Sequence, residues 1–149
     1  MLIGIDPLLT PDLLHALADM GHGDRIVLVD ANYPASRGRR LIRLPGASIT
    51  RALSAILGLL PCDTYVDDPA QIMQVVGDPD AVPEVVGEMN AVLAAAGWPK
   101  AVGVERHAFY EGAETAYAIV QTGERRFYGN VLLTKGVIAP DVTMPGDQA

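Results

Sequence analysis

Residues Met20 to Pro34 read MGHGDRIVLVDANYP and constrain the fold more than any other stretch of the chain. Arg25 to Val29 is a short apolar, β-branched run, the pattern of a buried strand. Polar residues gather at both of its ends: His22 and Asp24 before it, Asp30 and Asn32 after it. Gly21 and Gly23 bracket His22, so the backbone there can take conformations closed to other residues and bring the imidazole close to a ligand. Histidine is the one side chain whose unperturbed pKa, about 6.5, lets it give and take protons near neutrality. The same residues also fit a helix-ending glycine, a surface histidine and an Asp-Ala-Asn turn, so the choice between the two rests on the rest of the chain.

Helices and short strands alternate on either side of this stretch. Thr10, Pro11 and Asp12 form a helix start, with a hydroxyl cap, a proline at the first helical position and an acid in the first turn. Leu13, Leu14, Leu17 and Met20 give that helix one apolar face, and Gly21 ends it. Leu41 to Leu44 reads as a strand. A second helix is expected from Ser48 through Leu60, stopped by Pro61. Cys62 to Pro69 reads as strand or extended loop, and Ile72 to Val76 as a strand ending at Gly77. A third helix runs from Pro83-Glu84 to Gly97. Ala101–Glu105 is expected as strand, His107–Thr115 as helix, and Tyr117–Thr122 and Asn130–Leu133 as strands. The pattern predicts a single α/β domain over residues 1–138, three layers with helices about a largely parallel or mixed sheet. A polar tail, 139–149, is expected to be poorly ordered.

Composition narrows the partners. With 149 residues the chain is long enough to bury a core, and no apolar stretch approaches the roughly 20 residues that span a bilayer. The net charge of -7 argues against nucleic acid and anionic membrane. One cysteine, Cys62, excludes an internal disulfide and points to a reducing cytoplasm, as does an N-terminus without a signal-peptide core. The basic run Arg37–Arg40 (RGRR) is expected as a solvated loop rather than a phosphate clamp.

Three histidines, His15, His22 and His107, share no spacing that suggests a metal site, so no metal is expected. The sequence has no G-x-G-x-x-G after a strand, no phosphate loop and no G-x-S-x-G elbow, which leaves nucleotide cofactors and serine-hydrolase chemistry without support. What remains is His22 together with Asp24, Asp30 and Asp63 and the phenols Tyr110 and Tyr128. These groups suit proton transfer and hydrogen bonding to a hydroxyl-rich ligand.

Three separated blocks then carry a resemblance. LLHALADMGHGDRIVLVDANYP, LLPCDTYVDDPAQIM (Leu59 to Met73) and ERHAFYEGAETAYAIVQTGERRFYGNVLLTKG (Glu105 to Gly136) together resemble the L-fucose mutarotase family, relatives of the D-ribose pyranases. GHGD, DANYP and Y-G-N are closer to the fucose branch than to the ribose branch, which typically reads GHTD, DAGLP and Y-A-N. The resemblance implies cofactor-free interconversion of the anomers of L-fucose or a related monosaccharide, with pyranose–furanose interconversion of D-ribose, or a catalytically silent sugar-binding module, as the alternatives. It implies His22 as the proton-transferring residue and Asp63 as its acid/base counterpart. Sugar contacts are implied for Asp30, Met73, Arg106, Tyr110, Tyr128, Gly129 and Asn130, while Trp98 is expected in the core or an interface rather than against the sugar. It also implies a homo-oligomer with the site near a subunit boundary, a decamer of two pentameric rings ahead of a dimer. A mean hydropathy of +0.23 in an acidic chain agrees with apolar surface set aside for association. The chain departs from the family in the arginine-rich loop after Pro34, in the stretch from Gly77 to Lys100 and in its longer tail.

Overall fold

Thr10 and Ser48 each stand in extended backbone conformation one residue before a helix, and each side-chain oxygen accepts a backbone N–H of the first turn, from Leu13 and Arg51. Such caps are typically worth about 1 kcal/mol apiece. In the computed structural model, which describes residues 2–37, 40–144 and 147, they open α1 (Pro11–Asp19) and α2 (Ile49–Leu57). The other elements are β1 (Arg25–Val29), β2 (Leu41–Leu44), β3 (Ala70–Met73), α3 (Glu84–Ala95), β4 (Val102–Val104), α4 (Arg106–Glu114), β5 (Ala118–Thr122) and β6 (Val131–Thr134). A single turn of 3₁₀ helix, Ala35–Arg37, leads from β1 towards β2.

The six strands form one sheet in the order β2-β5-β1-β6-β3-β4. Its pairings are parallel except for those of β6, which runs antiparallel to β1 on one side and to β3 on the other. The sheet is therefore mixed, and its central strand β1 is buried on both faces, which explains why β1 reads as an unbroken apolar run rather than an alternation. Ile26 and Leu28 point into a core shared with α1, α2 and α3. Val27 and Val29 point into a smaller core closed by Phe109 and Ala113 of α4. Three helices thus cover one face and α4 the other, giving three layers. Trp98 belongs to the larger core, as expected.

Two expected elements differ from those observed. The strand anticipated at Ile72–Val76 is Ala70–Met73, because the chain turns back at Val75–Asp78, where the Asp78 N–H donates to the Val75 carbonyl and Gly77 adopts φ +82°. Val76 is apolar and β-branched but lies on the surface, 59% exposed, beside the cavity described below. The second helix stops at Leu57 rather than Leu60, since a residue before proline disfavours helical backbone and Leu60 precedes Pro61. In the RGRR segment, Gly38 and Arg39 lie outside the described residues, while Arg40 donates to the Tyr117 hydroxyl at 3.0 Å. Residues 145, 146, 148 and 149 of the tail likewise lie outside them.

Candidate active site

The parallel strands β1, β3 and β4 end at one edge of the sheet, and β6, which runs the other way between β1 and β3, begins there. This is the edge at which open α/β sheets bind ligands. Asp30 follows β1, Met73 ends β3, Arg106 opens α4 just after β4, and Tyr128 and Asn130 sit on the loop entering β6. Four elements distant in sequence therefore deliver these side chains to one place. A cavity of about 290 Å³ is lined by Asp30, Met73, Arg106, Tyr110, Tyr128 and Asn130, with Tyr33, Val76 and Phe127 adding apolar wall.

The polar groups of this cavity are fixed by backbone. Asp30 is 5% exposed, and its Oδ1 accepts the Asn32 N–H at 2.9 Å. Burial raises its carboxyl pKa above the ordinary value, against the hydrogen bonds from Asn32 and Asn130. The Asp30 N–H donates to Oδ1 of Asn130 at 3.0 Å, which ties the end of β1 to the start of β6. Tyr128 has φ +66°, the left-handed region that costs a residue with a Cβ roughly 1–2 kcal/mol. Its hydroxyl oxygen accepts the Val76 N–H at 3.2 Å, leaving the hydroxyl proton free to donate elsewhere. Gly129 does not line the cavity. It is buried beneath the loop, where a Cβ would lie 2.8 Å from Cγ of Glu124.

His22 and Asp63 are paired with each other but stand apart from this cavity. Nε2 of His22 lies 3.3 Å from Oδ1 of Asp63, and the same oxygen accepts the Tyr65 N–H at 2.9 Å. Asp63 is 2% exposed, whereas the His22 side chain is 46% exposed and packs against the Tyr65 ring at 5.5 Å between centroids. An ionised carboxylate accepts hydrogen bonds only, so this contact puts the proton on Nε2 and leaves Nδ1 available to a ligand. The backbone around the pair is closely held. Gly23 adopts φ +82° while its N–H donates to the Lys135 carbonyl, and a Cβ on Gly136 would fall 2.1 Å from the Cys62 carbonyl oxygen. Burial raises the Cys62 thiol pKa, which counts against a thiolate at this position.

The pair precedes β1 and the cavity follows it. Seven residues of mostly extended chain lie between His22 and Asp30, roughly 20 Å at the rise of a strand. Of the residues singled out from sequence, the structure gathers Asp30, Met73, Arg106, Tyr110, Tyr128 and Asn130 at one end of the sheet, and His22 with Asp63 at the other. Tyr33, Phe127 and Tyr65 were not singled out, although they stand inside the DANYP, F-Y-G-N and DTYV blocks. Their position next to marked residues is the signal that would have found them. His15 and His107 are surface residues.

A profile of the RbsD / FucU transport protein family matches residues 3–138. The fucose mutarotase of Bos taurus is 46% identical over 147 residues, covering 94% of this chain and 96% of that protein. The crystal structure of a fucose mutarotase in complex with L-fucose from Streptococcus pneumoniae superimposes with a TM-score of 0.87 at 43% identity, covering 93% of this chain and all of that one. Bacillus subtilis RbsD complexed with D-ribose, at 21% identity and a TM-score of 0.75, shares the fold. This chain is accordingly a member of the RbsD / FucU family, on the side of its fucose mutarotases.

Proposed function

We propose that this protein is a cofactor-free mutarotase that interconverts the α and β anomers of L-fucose. The observation that carries this reading is a monosaccharide-sized cavity at the carboxyl edge of the sheet, lined both by hydrogen-bonding groups and by the apolar side chains of Met73 and Phe127. It occurs in a chain 43% identical to a fucose mutarotase crystallised with L-fucose. Asp30 and Asn130 supply acceptors and an amide, Arg106 and the Tyr128 hydroxyl supply donors, and the apolar residues receive the C–H faces of the sugar. Nδ1 of His22 removes the proton of the anomeric hydroxyl, the bond from C1 to the ring oxygen breaks, and the imidazolium returns that proton to the ring oxygen. Rotation about C1–C2 and the reverse steps close the ring on the other face, with no net proton gained or lost. Asp63 holds the imidazole and balances its charge while it is protonated. A positioned proton carrier of this kind contributes about 10²–10⁴-fold, enough for a reaction that already proceeds in water.

His22 and the cavity lie too far apart within one chain to act on one sugar. We therefore propose that the His22 of one protomer completes the cavity of its neighbour in a homo-oligomeric ring, in the cytoplasm. The exposed surfaces support this: Tyr65 and Val66 beside His22 are 75% and 40% exposed, and Phe127 and Val76 beside the cavity are 74% and 59% exposed. These are apolar side chains at the two ends of the sheet, available for contact between subunits. Saturation-transfer NMR on L-fucose and D-ribose, side by side, tests the substrate. Faster anomer exchange on L-fucose supports the reading, and a clear preference for D-ribose moves the protein to pyranose–furanose chemistry.

A further inference from the structure

We propose that Glu124 is the positioning residue of the sugar cavity, setting the Asp30 side and the Tyr128 side at once. The inference rests on the function proposed above and deepens it. Glu124 is 6% exposed, on the turn between β5 and β6, and touches none of the cavity. Its backbone grips the chain that carries Asp30. The Glu124 carbonyl accepts the Ala31 N–H at 2.8 Å, and its N–H donates to Oγ1 of Thr122, which in turn donates to the Val29 carbonyl at 2.9 Å. The residues on both sides of Asp30 are thereby fixed to this one turn.

The carboxylate of Glu124 holds the other wall. Oε1 accepts the backbone N–H groups of Arg125 and Arg126 and the Nε–H of Arg126, each at 3.0 Å. Arg126 then reaches across to Glu88 on α3 with two bonds of 2.9 Å. Two residues further on stands Tyr128 in its left-handed conformation, followed by Gly129, where a Cβ would fall 2.8 Å from Cγ of Glu124. A chain that turns in this way leaves Tyr128 where its hydroxyl meets the Val76 N–H and its ring lines the cavity. The strained backbone of Tyr128 persists because its surroundings over-determine it. Glu124 supplies that determination: its carboxylate pKa is held down to about 2, foremost by the Arg126 side chain, so it stays ionised across the working range.

The test uses folded Glu124→Gln, which keeps the shape and loses the charge, and Arg126→Gln, which cuts the outer bond at a more exposed site. Each is assayed for L-fucose anomer exchange at varied sugar concentration, and each is crystallised. Glu124→Gln is expected to raise KM about tenfold, the worth of one misplaced sugar contact, with a smaller change in kcat because the proton carrier is supplied by the neighbouring protomer and does not rest on the Glu124 turn of that cavity. Arg126→Gln is expected to raise KM less, and Tyr128 is expected to leave its left-handed conformation in the Glu124→Gln crystal. A merely structural role would lower the melting temperature and leave KM and the Tyr128 backbone as they are, and that result overturns the proposal. Should Glu124→Gln fail to fold, an unchanged KM in Arg126→Gln overturns it equally. Wild-type protein without L-fucose exchange would refute the mutarotase reading instead, and the Tyr128 conformation in the crystal then decides the role of Glu124.

Discussion

His22 and Asp30 stand at opposite ends of β1, the histidine before the strand and the aspartate after it. The strand between them is buried and hydrogen-bonded on both sides, to β5 and to β6, so it cannot fold back to bring them together. Catalysis by both residues on one sugar then requires two chains. An active protein that runs in light scattering as a 15.8 kDa monomer would contradict this, whereas elution as a ring of several protomers is the expected result.

Replacing His22 by Asn is expected to reduce anomer exchange by about 10²–10⁴-fold. Its melting temperature should stay within a degree or two of wild type, because the side chain is 46% exposed and adds little packing. Saturation-transfer NMR and thermal unfolding of the same sample check both halves. Near wild-type exchange in a folded His22→Asn protein would remove the proposed proton carrier.

Asp30→Asn should trade activity for stability. Burial raises the folded-state pKa of Asp30 above its ordinary 3.8, so the native state binds this proton more tightly than the unfolded chain does. The stability tied to it is present at low pH and is lost as pH rises through the raised value. At pH 7 wild type bears that penalty and the neutral amide does not. The variant should therefore melt a few degrees higher at pH 7, with the gap closing towards pH 3.8, and should bind L-fucose more weakly. Equal or lower stability of Asp30→Asn at pH 7 would show that the carboxylate is not penalised by its site.

Gly129→Ala places a Cβ 2.8 Å from Cγ of Glu124 in a buried position. Overpacking of this kind costs about 1–3 kcal/mol, or roughly 2–4 °C of melting temperature per kcal/mol in a chain of this size. The shift should come with a raised KM for sugar, since Tyr128 and Asn130 flank the displaced residue. A variant as stable as wild type would mean that the loop yields freely.

Most of the fold could be read from the chain. The residues that cap helices or fill strands on both faces have local causes, and Thr10, Ser48 and the run Arg25–Val29 fall where those causes put them. β3 lies ahead of the expected Ile72–Val76 because Val75 and Val76 are apolar for the sake of a surface turn and cavity rim, and hydropathy does not distinguish the two uses. The sequence also placed polar residues on both sides of β1, and the length of that strand already sets their separation. Local pattern alone does not join Asp63 to His22, because that depends on Cys62 pairing with Lys135 just past the end of β6; the family resemblance implied the pair, and the structure places the two side by side. Glu124 is not legible in the sequence, because a glutamate beside Arg125 and Arg126 looks like ordinary surface charge until the turn folds inward around it.

The most direct test of a site shared between chains uses two crippled proteins. His22→Asn lacks the proton carrier, and Asp30→Asn lacks the cavity carboxylate. The two are co-expressed with different tags and purified through both, so that every particle contains both variants, and L-fucose anomer exchange is measured by saturation-transfer NMR. With contacts running between neighbours, about a quarter of the sites in randomly mixed rings join an intact His22 to an intact Asp30. Exchange should therefore return to about a quarter of the wild-type rate. Exchange that remains at the level of the separate variants, in particles shown to contain both chains, would contradict a site completed by the neighbouring subunit.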